Sequence, residues 1–186
     1  MKMNNVVWKH SLTAHNKIKS KILNLIENYT QINPTFEVDN ISKTDFFDER
    51  DIKDTSPKNY LNLFYEEAKP LYQSIVDHYR GGGLYISNAW FQQYDIYNHH
   101  TWHNHGLTMI SLVYFLELPN TKYSTEFLNI EDNKIFQIED IREGDVAIFP
   151  SFIPHRSPVN LSASRKTSIA FNIQIINTDN SKLNML

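Results

Sequence analysis

The chain contains no cysteine. That absence excludes disulfides, thiolate metal sites, iron–sulfur clusters and cysteine nucleophiles together. Any bound metal must then be held by His, Asp and Glu. Long apolar runs are missing too. Nothing approaches the roughly 20 residues of a membrane-spanning helix, and the first ten residues hold no apolar stretch of signal-peptide length. The expected setting is the cytoplasm, with no membrane contact. A surplus of one charge sign is also lacking: the net charge of −3 leaves no electrostatic footprint for nucleic acid, and no basic, aromatic-interleaved groove is legible. Glycine is sparse, five in all, with three of them consecutive at Gly81-Gly82-Gly83. These follow a helical pattern instead of opening one, and no Gly-Lys-Ser/Thr accompanies them, so a phosphate loop is excluded.

The 186 residues read as one domain, long enough to bury a substantial core. Residues 1–83 form a mostly helical support region, 84–176 a β-rich core and 177–186 a tail. Over Leu12 to Thr30, Ile18, Ile22, Leu25, Ile26 and Tyr29 recur at helical spacing, with Lys17, Lys19 and Lys21 on the solvated side. Glu37 to Thr55 is a polar surface loop carrying Asp45, Asp48, Glu49, Asp51 and Asp54. Ser56-Pro57 marks a helix start. The helical face running from Tyr60 to Tyr79 is kinked or divided at Pro70 and ends at the glycine triplet. Candidate strands follow at 84–94, 107–118, 123–130, 134–138, 145–149 and 166–176. No helices alternate with them, so the sheet is expected to be antiparallel with the early helices packed outside it. The fold class is mainly β with N-terminal helices, compatible with a double-stranded β-helix, the jelly-roll or cupin-like barrel.

Chemistry concentrates at Asn98 to Gly106, where His99, His100, His103 and His105 supply four of the eight histidines. Imidazole is the commonest protein metal ligand. His103-x-His105 on an extended backbone sends both rings to one face. Gly144 to His155 then runs through a turn and an apolar strand to a segment stiffened by Pro150, Pro154 and Pro158, which presents His155. Near the end, Arg165 and Lys166 are adjacent and fall on opposite strand faces. Lys166 shares its face with Ser168, Ala170 and Asn172; Arg165 shares its face with Thr167, Ile169 and Phe171. The small polar face suits a lumen, which favours Lys166 as the inward cation. Trp90, Gln92, Tyr94 and Tyr114 are further candidates for the lining. Asp145 reads as a turn residue, and His10, His15 and His78 as ordinary ones.

Taken in order, Tyr94…His103-x-His105, Gly144-Asp145…Phe149-Pro-Ser-Phe-Ile-Pro-His155 and Ser168-Ile-Ala-Phe-Asn172 resemble the Fe(II)- and 2-oxoglutarate-dependent dioxygenases. They are most similar to a branch common in phages and marine bacteria. The resemblance spans Leu84 to Ile176. It implies a double-stranded β-helix with Fe(II) at the barrel mouth, ligated by His103 and His155, with His105 standing where most relatives place a carboxylate. It also implies 2-oxoglutarate as cosubstrate, anchored by Arg165 or Lys166 with Ser168, Tyr94 and Tyr114 nearby. The implied reaction oxidises 2-oxoglutarate to succinate and CO2 while hydroxylating a C–H bond of a peptide, amino acid or other small molecule. Two other classes stay open: a three-histidine cupin-type dioxygenase that does not use 2-oxoglutarate, and a non-catalytic metal- or ligand-binding barrel. A zinc hydrolase would need a general-base Glu, and none is evidently placed for it.

Overall fold

Period-two alternation along a few long apolar strands sets the architecture. The computed structural model describes residues 6–29, 40–46, 58–106 and 108–177. In chain order the elements are β1 (Trp8–Ser11), α1 (His15–Glu27), β2 (Lys43–Thr44), α2 (Asn59–Glu67), α3 (Lys69–Tyr79), β3 (Gly83–Tyr94), β4 (His100–His103), β5 (Ile110–Glu117), β6 (Glu126–Leu128), β7 (Ile135–Phe136), β8 (Asp145–Pro150), β9 (His155–Ser157) and β10 (Lys166–Ile176). They build two antiparallel sheets. One has six strands in the order β1-β8-β5-β10-β3-β2, and the other has four in the order β4-β9-β6-β7. The fold is thus mainly β with few helices, as expected.

Each face of the large sheet buries a different core. Ala89 and Phe91 of β3, Leu112, Tyr114 and Leu116 of β5, Ile148 of β8, and Ile169 and Phe171 of β10 face the helices. There they meet Ile18, Ile22 and Ile26 of α1, Tyr60 and Phe64 of α2, and Leu71 and Ile75 of α3. Each such side chain contributes about 1.5–3 kcal/mol by leaving water. The other face packs toward the small sheet, with Phe115, Ala147 and Phe149 set against Phe127 of β6 and Ile153. Pro70 divides the second helical stretch. It sits in the first turn of α3, where no hydrogen bond is lost, and Ala68 forms the joint with α2. The left-handed residue that ends α3 is Arg80, at φ 53°. Gly81 is needed for a different reason, because a Cβ there would lie 2.4 Å from Ile175 Cγ2.

Four short strands escaped the sequence reading. β1 and β2 come from the N-terminal stretch and pair with β8 and β3. β4 and β9 carry the histidines and pair with each other. Most of the expected polar loop at 37–55, and the Ser56-Pro57 helix start, lie outside the described residues. Asp45 is described, and it is not a surface residue. Fully buried, it accepts from the Phe91 backbone N–H at 2.8 Å and from Tyr60 Oη at 2.6 Å, and it pairs with Lys58 at 3.3 Å. Asp145 is also buried and ties strands together, accepting from Ser11 Oγ at 2.6 Å and the Arg142 N–H at 2.9 Å.

Candidate metal centre

Strand pairing brings the distant histidines together. His103 ends β4 directly opposite His155, which opens β9 between Pro154 and Pro158. His105 lies two residues past β4, where its backbone N–H donates to the Ser151 carbonyl at 2.8 Å. The three rings converge, with centroid separations of 4.2 Å (His103–His155), 5.0 Å (His105–His155) and 5.3 Å (His103–His105). Each can offer one ring nitrogen to a cluster whose atoms all lie within 4.8 Å of one another. The other nitrogens are occupied. Nδ1 of His103 donates to the Thr101 carbonyl at 2.8 Å, and Nδ1 of His155 donates to the Ile153 carbonyl at 2.9 Å. Nδ1 of His105 meets Asn172 Oδ1 at 2.6 Å and Ser111 Oγ at 3.0 Å. A carbonyl oxygen can only accept, so Nδ1 holds the proton and Nε2 keeps its lone pair. This is the arrangement by which outer hydrogen bonds orient metal-binding imidazoles.

Electrostatics reinforce it. Burial pushes His105 down to about 4, with a smaller contribution from His103 against it, and Asn172 opposes the shift. Burial, followed by the neighbouring His103, holds His155 well below the usual histidine range. Both rings are neutral at pH 7, as metal ligation requires. The donor set therefore fits a divalent transition metal of the iron or zinc kind.

Beneath the histidines lies Lys166, 1% exposed. Its Nζ donates to Ser157 Oγ at 2.7 Å and sits 5.0 Å from the centre of the Tyr94 ring. Among the described residues no carboxylate lies within ion-pair distance of it. Desolvation pushes its pKa down to about 7, opposed only by the more distant Glu126. The pocket that contains the triad is lined by Lys166, Ser168, Ala170, Tyr94, Gln92 and Trp90, together with Thr125 and Ser157, and its lining includes no Asp or Glu. A buried ammonium without a counter-ion fits an incoming carboxylate.

Two expected pocket residues are elsewhere. Arg165 faces the helix side, where it pairs with Glu117 at 2.9 Å and with Glu27 of α1. Tyr114 sits in the helix-facing core, with its hydroxyl 2.7 Å from His15 Nδ1 and its ring tilted against Phe64. Adjacency on a strand is the physical reason in both cases: Lys166 and Val113 take the pocket face, so their neighbours cannot. Ser157 against Lys166, and Val113, Thr125 and Arg156 in the lining, went unrecognised in the sequence, whereas Asn172, which alternation puts on the lumen face, stands behind His105. His100 enters the pocket through a register shift in β4 and stacks on His103 at 3.9 Å, with Gln92 Nε2 3.2 Å from its Nδ1. The alternations Lys166–Ser168–Ala170 and Trp90–Gln92–Tyr94 were the legible signals for the lining.

No family model matches the chain, and no curated protein matches it in sequence. Solved structures do. A 2OG-Fe(II) oxygenase family oxidoreductase from Burkholderia pseudomallei aligns over 94% of this chain and 89% of its own, at a TM-score of 0.66 and 10% identity. The chain has the fold of the 2OG-Fe(II) oxygenases. The viral collagen prolyl hydroxylase of Paramecium bursaria chlorella virus 1, solved with 2OG, aligns over 92% of this chain and 97% of its own (TM-score 0.59, 9% identity). A non-heme α-ketoglutarate-dependent epimerase of nogalamycin biosynthesis aligns over 97% and 84% (TM-score 0.68, 8% identity). A 2OG-Fe(II) oxygenase fold thus hosts a hydroxylase and an epimerase alike, so the reaction has to be argued from the site.

Proposed function

We propose that this protein is an Fe(II)- and 2-oxoglutarate-dependent oxygenase that hydroxylates a C–H bond of a peptide, amino acid or other small substrate, releasing succinate and CO2. We read its two sheets as a double-stranded β-helix, with the metal site between them. One observation carries the reading: a buried lysine without a carboxylate partner shares a pocket with three converging imidazoles whose Nδ1 atoms are already engaged. A metal alone needs no such lysine. A metal chelated by a dicarboxylic keto acid does.

His103, His105 and His155 would hold the iron through Nε2. When bound, iron with 2-oxoglutarate supplies the capacity to activate O2 and oxidise an unactivated C–H bond. The chain does the rest. Thr101, Ile153 and Asn172 fix the imidazole tautomers and ring planes. Lys166 and Ser157 anchor the distal carboxylate, with Ser168 beside them. The apolar walls formed by Val113, Ala170 and Trp90 exclude water and orient the cosubstrate. The substrate class follows the peptide- and small-molecule-directed neighbours by analogy.

A second reading is favoured by the third imidazole. With His105 where a carboxylate usually sits, the site matches the donor set of three-histidine dioxygenases that take no 2-oxoglutarate. Turnover separates the two. Iron-loaded protein in air should convert 2-oxoglutarate to succinate, slowly even without a prime substrate, and a Lys166→Met variant should not. Iron binding without any succinate would favour the three-histidine alternative.

A further inference from the structure

We propose that the indole N–H of Trp90 is a hydrogen-bond donor to the keto-acid end of the bound cosubstrate, an inference that rests on the 2-oxoglutarate reading above. Trp90 is 4% exposed, and its Nε1 is buried with no hydrogen-bond partner. Indole can only donate, and a buried donor left unpaired is costly enough to call for an acceptor. The ring lines the pocket with its centroid 5.6 Å from that of His105, and no acceptor among the described residues meets the N–H, which leaves a bound ligand to supply one. Phe46, at 4.9 Å, packs against the same indole and helps fix its orientation.

Strand register gives the position along the pocket. Facing pairs run Lys166↔Tyr94, Ser168↔Gln92 and Ala170↔Trp90. Two inward steps at roughly 6.6 Å each put Trp90 about 13 Å along the sheet from Lys166. A five-carbon diacid held at Lys166 Nζ beside Tyr94 extends along the same face from the Lys166–Tyr94 pair toward the Ala170–Trp90 pair and the neighbouring His105. Ala170 opposite is small and leaves room for it. Lys166 and Trp90 then grip the two ends of one molecule. A ligand bearing only the distal carboxylate would engage the lysine alone.

The test uses the full chain loaded with Zn(II), a diamagnetic substitute for iron, and labelled with 15N at tryptophan. The indole signals of Trp8, Trp90 and Trp102 are assigned by Trp→Phe variants at 8 and 102, neither of which lines the pocket. Adding 2-oxoglutarate should shift the Trp90 proton downfield, whereas butyrate, which offers one carboxylate to Lys166 and nothing at the keto-acid end, should leave it in place. In calorimetry, Trp90→Phe should bind 2-oxoglutarate about tenfold more weakly, with Zn(II) affinity unchanged. A Trp90 signal unmoved by bound 2-oxoglutarate, or moved equally by butyrate, overturns the proposal and leaves the oxygenase reading standing. Failure of the wild-type protein to bind 2-oxoglutarate at all overturns both.

Discussion

Lys166 pays a desolvation penalty that, among the described residues, only the distant Glu126 opposes, and this has consequences that can be measured without turnover. Its folded pKa, near 7, lies below the ordinary 10.5. Between those values the folded protein holds fewer protons than the unfolded one, so stability rises with pH across that window, and the deficit is fully present below about 7. Lys166→Met should therefore melt above wild type at pH 6, and the difference should shrink toward pH 10. Melting curves at the two pH values check this; a gap that is constant or grows with pH would contradict it. A bound carboxylate favours the charged lysine, so 2-oxoglutarate binding above pH 7 should take up a proton, visible as a buffer-dependent binding enthalpy. Asn172 stands one residue removed from the candidate metal site. Its Oδ1 holds His105 Nδ1 at 2.6 Å while its Nδ2 donates to Asn88 at 2.9 Å. Asn172→Leu should weaken metal binding by roughly 10–100-fold in a competitive chelator titration, and an unchanged affinity would show that Ser111 alone orients the ring.

At the scale of elements, the two faces of β5 and β10 divide the labour between stability and chemistry. The strand Ile110–Glu117 is apolar on both faces. Its alternation therefore carries no signal about direction, and Tyr114 could not be told from Val113 by sequence. β10 is different, because the small, polar Lys166, Ser168 and Ala170 alternate with the bulky Ile169 and Phe171. That contrast made Lys166 legible as the inward cation. The partners of Arg165 and Tyr114 were out of reach for another reason. Glu27 and His15 belong to α1, far away in sequence, and meet these residues only once the helix docks on the sheet. These contacts assign structural roles. Tyr114→Phe should cost about 1 kcal/mol of stability through the lost hydrogen bond, and Arg165→Gln roughly 0.5–1 kcal/mol. Both variants should bind 2-oxoglutarate as wild type does. A tenfold loss of binding in either would return that residue to the pocket.

Across the whole molecule, the sequence disclosed chemistry better than edges. The His-x-His pair, the proline-flanked His155 and the antiparallel character of the C-terminal part followed from spacing and periodicity. β1, β2, β4 and β9, with two to four residues each, hold too few residues for periodicity to register; β1 and β2 form on the edges of the longer β8 and β3, while β4 and β9 pair with each other and β9 also with β6. β4 and β9 are also the strands that position His103 and His155, so the elements most informative about function were the ones least visible as structure. The proposed function requires that the three histidines and Lys166 serve a single chelate. Calorimetric titration of metal-free protein under anaerobic conditions, first with Fe(II) and then with 2-oxoglutarate, tests that claim most directly. The account predicts one Fe(II) per chain, 2-oxoglutarate binding that depends on the iron, and loss of the second step alone in Lys166→Met. Iron binding followed by no 2-oxoglutarate binding in the wild-type protein, or a Lys166→Met variant that binds it undiminished, would contradict it.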